Sequence, residues 1–328
     1  MAGKEQVRLG FVGVGGIARW GHLPHLSKWE DVKLAAFTDV NAEACAKVAA
    51  EFGAKPYPDV KTMLDDASLD AVYVCVPPFA HFDQELQVVE RGVALFVEKP
   101  LATTLEKARE IDAAVRKKGV ISAVGYNWRS TDITKKAREL MAGKRVSAGY
   151  GYWVGGMPGA AWWRRQSQSG GQLVEQTTHV VDIALYLIGG KVTRVYAQGA
   201  KGLASARVDN HDIHDNSIVL LTFDHGAVCS IGSGHLSPQG FRTGLDLLLD
   251  GMTVTHNNNE LRVKRPEVEE IFKNQNKPYE VEDRAFLDAI KRNEPKLVYC
   301  DYASAYETHR VTMAANESME SGKVVELK

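Results

Sequence analysis

The chain has 328 residues, 45% hydrophobic and 25% charged, with 40 Lys plus Arg against 41 Asp plus Glu and a formal net charge of -1. Its length exceeds the roughly 250–300 residues at which a single core stops growing, so two domains are expected. The balanced charge gives no long-range attraction to nucleic acid or an anionic membrane, and no apolar run approaches the ~18 residues of a membrane span.

The opening MAGKEQVRLGFVGVGG passes from a brief basic region straight into glycines, with no signal-type hydrophobic stretch. Cys45, Cys75, Cys229 and Cys300 lie far apart without a CxxC pair, which reads as buried reduced thiols in a cytoplasmic protein. Val7–Val12 is a short apolar run, followed by a glycine-rich turn and a helical pattern to about Leu26. Val32–Thr38 is a second strand ending at Asp39, and Asn41 is the N-cap of a helix that Gly53 stops. Asp70–Val76, then VALFVE, then Val120–Val124 are further strands, with helices ending near Arg91 and spanning Thr104–Lys118 between them.

This alternation predicts a doubly wound parallel sheet of the Rossmann type over residues 1–125. Beyond it, strands at Ser147–Val154, Ser217–Phe223, Ala227–Ile231, Leu245–Leu249 and Met252–Thr255 surround one apolar helix at Leu173–Ile188. Residues 126–328 are therefore expected to form an α+β domain on a large open, mostly antiparallel sheet, with a C-terminal helix free to pack back on the first domain. THNNNE at 255–260 reads as a hairpin turn. An open sheet with an apolar outer face needs a cover, and an identical subunit in a homodimer or homotetramer is the expected one.

Gly13, Gly15, Gly16, Ile17 and Ala18 lie directly between a strand and a helix. Gly13 permits the tight turn, Gly15 lets a pyrophosphate approach the backbone, and Ala18 lets helix and sheet close up. Helix-start N–H groups then meet the phosphate charge, so a dinucleotide is expected here. Asp39 at the next strand end can accept from both adenosine ribose hydroxyls and would repel a 2'-phosphate, favouring NAD over NADP. Val76, Pro77 and His81 lie just after another strand's carboxyl end and are assigned to the cofactor side. Glu98-Lys99-Pro100 follows a strand in the same way: Lys99 can move a proton or bond a substrate oxygen, or serve in a structural ion pair, and Glu98 holds the backbone.

In the second domain Glu175, His179 and Asp182 are spaced four and three apart, on one face if the helix begins that early. His179 can exchange a proton near neutral pH. Tyr126, Asn127 and Arg129, with Trp153, Trp163 and Arg164, are candidate substrate contacts, because aromatic faces suit a pyranose ring and arginine bonds hydroxyls. His211 and His214 in HDIHD suggest a metal pair, but with no structured third partner they read as exposed or turn residues, and no metal is assigned.

GVGGIA at 13–18, VPPFAH at 76–81, VEKPLA at 97–102, VGYNWR at 124–129, SGG at 169–171, TTHVVD at 177–182 and the tail ESMESGKVVEL together resemble the Gfo/Idh/MocA oxidoreductases, relatives of glucose–fructose oxidoreductase and inositol dehydrogenase. The resemblance covers nearly the whole chain. It implies hydride exchange between a nicotinamide and a secondary alcohol or ketone carbon of a sugar or cyclitol, with the family lysine at Lys99 and its catalytic histidine at His179. The chain departs from the commoner pattern by carrying Glu175 and Thr177 where Asp and Gly stand. Glu175 is expected to orient Lys99 or a substrate hydroxyl. Transient oxidation with retained NAD, leading to epimerisation or elimination, and a non-catalytic dinucleotide-binding protein are the alternatives.

Overall fold

A computed structural model describes residues 6–238 and 240–328. Contacts divide the chain into two compact units. The first runs to Ala102 and adds Glu106–Asn127 and Lys277–Tyr306; the second takes Thr103–Leu105, Trp128–Asn276 and Glu307–Lys328. The sequence predicts a second domain over 126–328 with a C-terminal helix free to return to the first, whereas the contacts group the segment 277–306 with the first unit.

Unit 1 holds six parallel strands: β1 (Val7–Val12), β2 (Val32–Thr38), β3 (Lys55–Tyr57), β4 (Ala71–Val74), β5 (Ala94–Val97) and β6 (Ser122–Val124). Their order is β3-β2-β1-β4-β5-β6, a doubly wound sheet. Both faces are covered, which explains why the strands read as continuous apolar runs rather than alternating ones. Strand pleating still sorts the side chains. Leu9, Phe11, Ala71, Tyr73, Ala94 and Phe96 enter one core cluster, and Val72, Val74, Leu95 and Val97 enter the other.

Phe11, Tyr73 and Phe96 are register partners on three adjacent strands, and their rings stack at 4.8 and 4.5 Å between centroids. Phe286, from the helix Pro278–Arg292, meets Tyr73 and Phe96 edge-on. Asn41 caps its helix by accepting from the Ala44 N–H at 3.0 Å, and Gly53 ends that helix at φ 66°.

Unit 2 is built on nine strands: β7 (Val146–Gly155), β8 (Val192–Ala200), β9 (Asn216–Phe223), β10 (Val228–Gly234), β11 (Phe241–Leu249), β12 (Met252–His256), β13 (Glu260–Arg265), β14 (Val268–Lys273) and β15 (Val325–Glu326). The order is β14-β13-β12-β11-β7-β10-β9-β8-β15, antiparallel except for the parallel pair of β7 with β10. The expected turn at 255–260 joins β12 to β13, closed by the Asn257 N–H donating to the Glu260 carbonyl at 3.0 Å.

One sheet face packs Val219, Leu221, Phe223, Cys229 and Ile231 against the helix Thr178–Ile188. The opposite face exposes Tyr150, Tyr152, Ile218, Leu220 and Val228. Strand register aligns Tyr150, Ser230 and Leu220 in one row and Tyr152, Gly232 and Ile218 in the next. All four cysteines are buried and unbridged, and no helix among the described residues is long and apolar enough to cross a membrane.

Replacing Phe96 by Ala removes the end of the aromatic ladder and leaves a void beside Tyr73 and Phe286. The expected loss is about 3–5 kcal/mol of stability, read as a lower urea midpoint at unchanged slope. A shift under 1 kcal/mol would show that the ladder is not a main support of this unit.

Candidate active site and cofactor site

In unit 1 the glycine turn fits a dinucleotide on steric grounds. Gly13 has φ 84°, and a Cβ there would lie 2.5 Å from the Cys75 carbonyl oxygen and 3.0 Å from a Val76 methyl. Its tight turn thus requires glycine. A Cβ on Gly15 or Gly16 would meet nothing within 4 Å, so the turn presents bare backbone to open space, as pyrophosphate approach demands. The helix then starts through a π-helical turn over Ala18–His22, while Ile17 packs on the core.

Asp39 follows β2. Its Oδ2 accepts from the Val14 N–H and its Oδ1 from the Asn41 N–H, both at 2.9 Å. The carboxylate is therefore fixed beside the glycine turn. Pro77 precedes a short 3₁₀ turn, Pro78–Ala80. His81 is buried and its Nδ1 makes a short hydrogen bond with Glu85, which gives this histidine a local structural partner one helical turn on.

Glu98 and Lys99 leave the carboxyl end of β5. Glu98 is 3% exposed; its Oε2 accepts from the Lys99 N–H at 3.1 Å and its Oε1 lies 3.0 Å from His22 Nε2. A Cβ at residue 125 would sit 2.5 Å from that same oxygen, which accounts for Gly125. Both Glu98 carboxylate oxygens are thus engaged, one beneath the Lys99 amide and one at His22.

These contacts extend inward. His22 Nδ1 lies 2.9 Å from Asp283 Oδ2, His25 Nε2 2.7 Å from the same oxygen, and the Tyr73 hydroxyl donates to Asp283 Oδ1 at 3.2 Å. With a carboxylate at each ring nitrogen, His22 donates from both and is an imidazolium. Burial alone would discharge it, but the charges and hydrogen bonds of Asp283 and Glu98 outweigh that and raise its pKa well above 6.5. Burial likewise pushes the Asp283 carboxyl up, and His22 and His25 reverse this, leaving it below 3.8. At Glu282 burial and the neighbouring Glu98 and Asp283 charges outweigh the opposing pull of His22 and raise its carboxyl well above 4.5.

In unit 2 the helical face expected for Glu175, His179 and Asp182 is interrupted. Leu173–Thr177 forms a π-helical turn before the α-helix Thr178–Ile188, and the three side chains find different partners. Glu175 Oε2 accepts from the Trp163 indole N–H at 3.0 Å. His179, 8% exposed, packs its ring near-parallel to Trp128 at 5.7 Å and Trp153 at 5.9 Å. Asp182 takes a bidentate pair from Arg129, Nε at 2.8 Å and Nη2 at 2.6 Å, and accepts from the Thr308 hydroxyl at 2.8 Å.

Arg129 and Asp182 are 4% and 1% exposed and engage one another. Tyr126 is 1% exposed within the core of unit 1, and Asn127 is buried. Trp153 and Trp163 remain beside His179 and Glu175. Arg164, ending the 3₁₀ turn Ala161–Arg164, keeps a buried Nε without a hydrogen-bond partner among the described residues.

Trp128, a ring packed on His179, is not legible in the sequence, because one tryptophan in VGYNWR carries no spacing signal. The sequence pattern of HDIHD predicts an exposed or turn role for His211. His211 is buried, with its Nε2 2.9 Å from His235 Nε2. His214 faces elsewhere, against Gly199.

His22→Gln should lower stability at pH 6 by roughly 3–5 kcal/mol, because two buried carboxylates lose their shared cation. A raised folded pKa means the His22 contribution is complete below about 6.5 and is lost as pH rises through the folded value. The gap between wild type and variant in urea unfolding should therefore narrow toward alkaline pH. A gap constant across that range would mean His22 is neutral in the folded protein.

Comparison with known proteins agrees with this geometry. Residues 7–126 match the NAD-binding Rossmann-fold domain of the Gfo/Idh/MocA oxidoreductase family, and residues 141–253 match that family's C-terminal domain. An uncharacterized oxidoreductase, YrbE, of Bacillus subtilis is 26% identical over 99% of this chain and 97% of its own. The scyllo-inositol 2-dehydrogenase (NAD(+)) of the same organism is 28% identical over 72% of this chain and 70% of its own. A levoglucosan dehydrogenase solved with NADH and levoglucosan shares the fold at TM-score 0.85 and 20% identity, covering 98% of this chain and 99% of that one. With both domain profiles matched in order and the glycine turn built to receive the dinucleotide, the chain belongs to the Gfo/Idh/MocA family of NAD-binding oxidoreductases.

Proposed function

We propose that the protein transfers hydride between NAD and a secondary alcohol or ketone carbon of a sugar or cyclitol. The observation that carries this reading is His179, a protonatable imidazole set against the faces of Trp128 and Trp153. Such faces suit the C–H side of a saturated ring while the imidazole handles its hydroxyl proton. The named activity of the scyllo-inositol dehydrogenase relative supports the same substrate class.

NAD, held by the Gly13–Ala18 turn and Asp39, supplies the hydride acceptor. In the oxidation direction His179 accepts the alcohol proton. Lys99 donates a hydrogen bond to a substrate oxygen as it gains carbonyl character, so its contribution is greatest where charge changes. Glu98 holds the Lys99 backbone, and the Arg129–Asp182 pair fixes the helix that carries His179. Glu175 acts through Trp163, orienting an aromatic wall rather than exchanging protons. Arg164, with its unsatisfied buried Nε, is the substrate-side donor.

A panel of inositols, ketosugars and glycosides followed by NADH absorbance tests the class. Product without net NADH would instead assign epimerisation or elimination with retained cofactor. Lys99→Met should leave NADH affinity within a few fold and cut single-turnover transfer by ~10²–10⁴. Retention of more than half the rate would return Lys99 to a structural role.

The exposed Tyr150, Tyr152, Ile218, Leu220 and Val228 face is covered by a second copy, in a dimer or tetramer. Leu220→Arg should give a monomer in light scattering at micromolar concentration. A wild-type monomer with full activity would defeat the assignment.

A further inference from the structure

We infer that His211, Asp215 and His235 form a divalent-cation site of the zinc class. The three are 8%, 1% and 1% exposed, and one ligand atom from each lies within 4.8 Å of the others. His211 Nε2 and His235 Nε2 are 2.9 Å apart, and Asp215 Oδ1 is 4.0 and 3.9 Å from them. In the plane of this triangle one point lies about 2.1 Å from all three atoms, the length of a zinc–nitrogen or zinc–oxygen bond.

The fold builds this convergence. Asp215 immediately precedes β9 and His235 immediately follows β10. The antiparallel register pairs Asn216 with Gly234, so the next residues out stand side by side, and the His235 N–H donates to the Asp215 carbonyl at 3.2 Å. The loop that carries His211 is clamped by the same aspartate, whose carboxylate accepts from the N–H groups of Leu203 at 2.8 Å and Ala204 at 3.2 Å. The Trp163 ring closes one side, edge-on to His235 at 5.0 Å.

Two imidazoles turned Nε2 to Nε2 can share only one proton, and that single hydrogen bond leaves the fully buried Asp215 carboxylate 4.0 and 3.9 Å from the two rings. A divalent ion at the common point satisfies both nitrogens and the carboxylate together. Two imidazoles and one carboxylate suit zinc among common cations, and three protein ligands leave a fourth position for water or a hydroxyl oxygen. Trp163 also bonds Glu175, which sets the site beside the aromatic wall already described.

The test uses the full chain, purified without a metal-affinity step, stripped with chelator and titrated with Zn²⁺ and with Co²⁺. No substrate is needed, so the result is independent of the proposed dehydrogenase activity. One Zn²⁺ per chain should bind with sub-micromolar Kd, and Co²⁺ should give four-coordinate visible bands without thiolate charge transfer. His211→Gln and His235→Gln should each weaken binding about 100-fold or more, with near-UV circular dichroism confirming that the variants are folded. Absence of saturable binding at 100 equivalents of Zn²⁺, unchanged affinity in both variants, or a thiolate–cobalt band would each overturn the site.

Discussion

A single buried imidazolium organises the first unit. His22 comes from the helix that follows the glycine turn, Asp283 from the helix Pro278–Arg292, and Glu98 from the strand end that presents Lys99. Three segments remote in sequence are thus held by one charge between two counter-charges. None of these groups could be buried alone without a penalty of several kcal/mol. The contacts inherit this dependence: Tyr73 in the aromatic ladder donates to Asp283, and Gly125 leaves room for Glu98. The ladder and the network therefore stand or fall together.

The second unit uses a different device. Arg129 and Asp182 form a planar bidentate pair, and Arg129 also lies over the Tyr186 ring at 4.7 Å. The pair pins the helix that carries His179, and Trp128, immediately before Arg129 in sequence, is set against that histidine. Aromatic packing and ion pairing thus act on opposite sides of a short stretch of chain. The π-helical turn at Leu173–Thr177 adds a residue before the helix and separates Glu175 from the face of its neighbours.

Much of the fold was legible because its strands obey strong local rules. β1, β2, β4 and β5 are buried on both sides, so their apolar runs stand out, and glycine and asparagine mark the turns. β13 and β14 are not legible, since ELRVKR and VEEIFK carry the charges that sheet margins use against further pairing, and those charges mask the alternation. β3 contains proline and spans three residues. At the site, the glycine turn and Asp39 were readable from local chemistry. The partners of Glu98, Asp182 and His211 were not, because each lies far away in sequence and no periodicity links them. His211 and Asp215 are four residues apart, but His235 joins them only through the hairpin register.

The fixing of Asp39 by the Val14 and Asn41 amides bears on how cofactor preference can change in this lineage. A residue able to welcome a 2'-phosphate would have to give up the carboxylate, and with it the acceptor for two backbone donors, one in the glycine turn and one at a helix cap. Selectivity and loop shape are therefore coupled traits. A drift toward NADP calls for compensating change around residues 14 and 41, and single substitutions at 39 lie in a valley between two workable sequences.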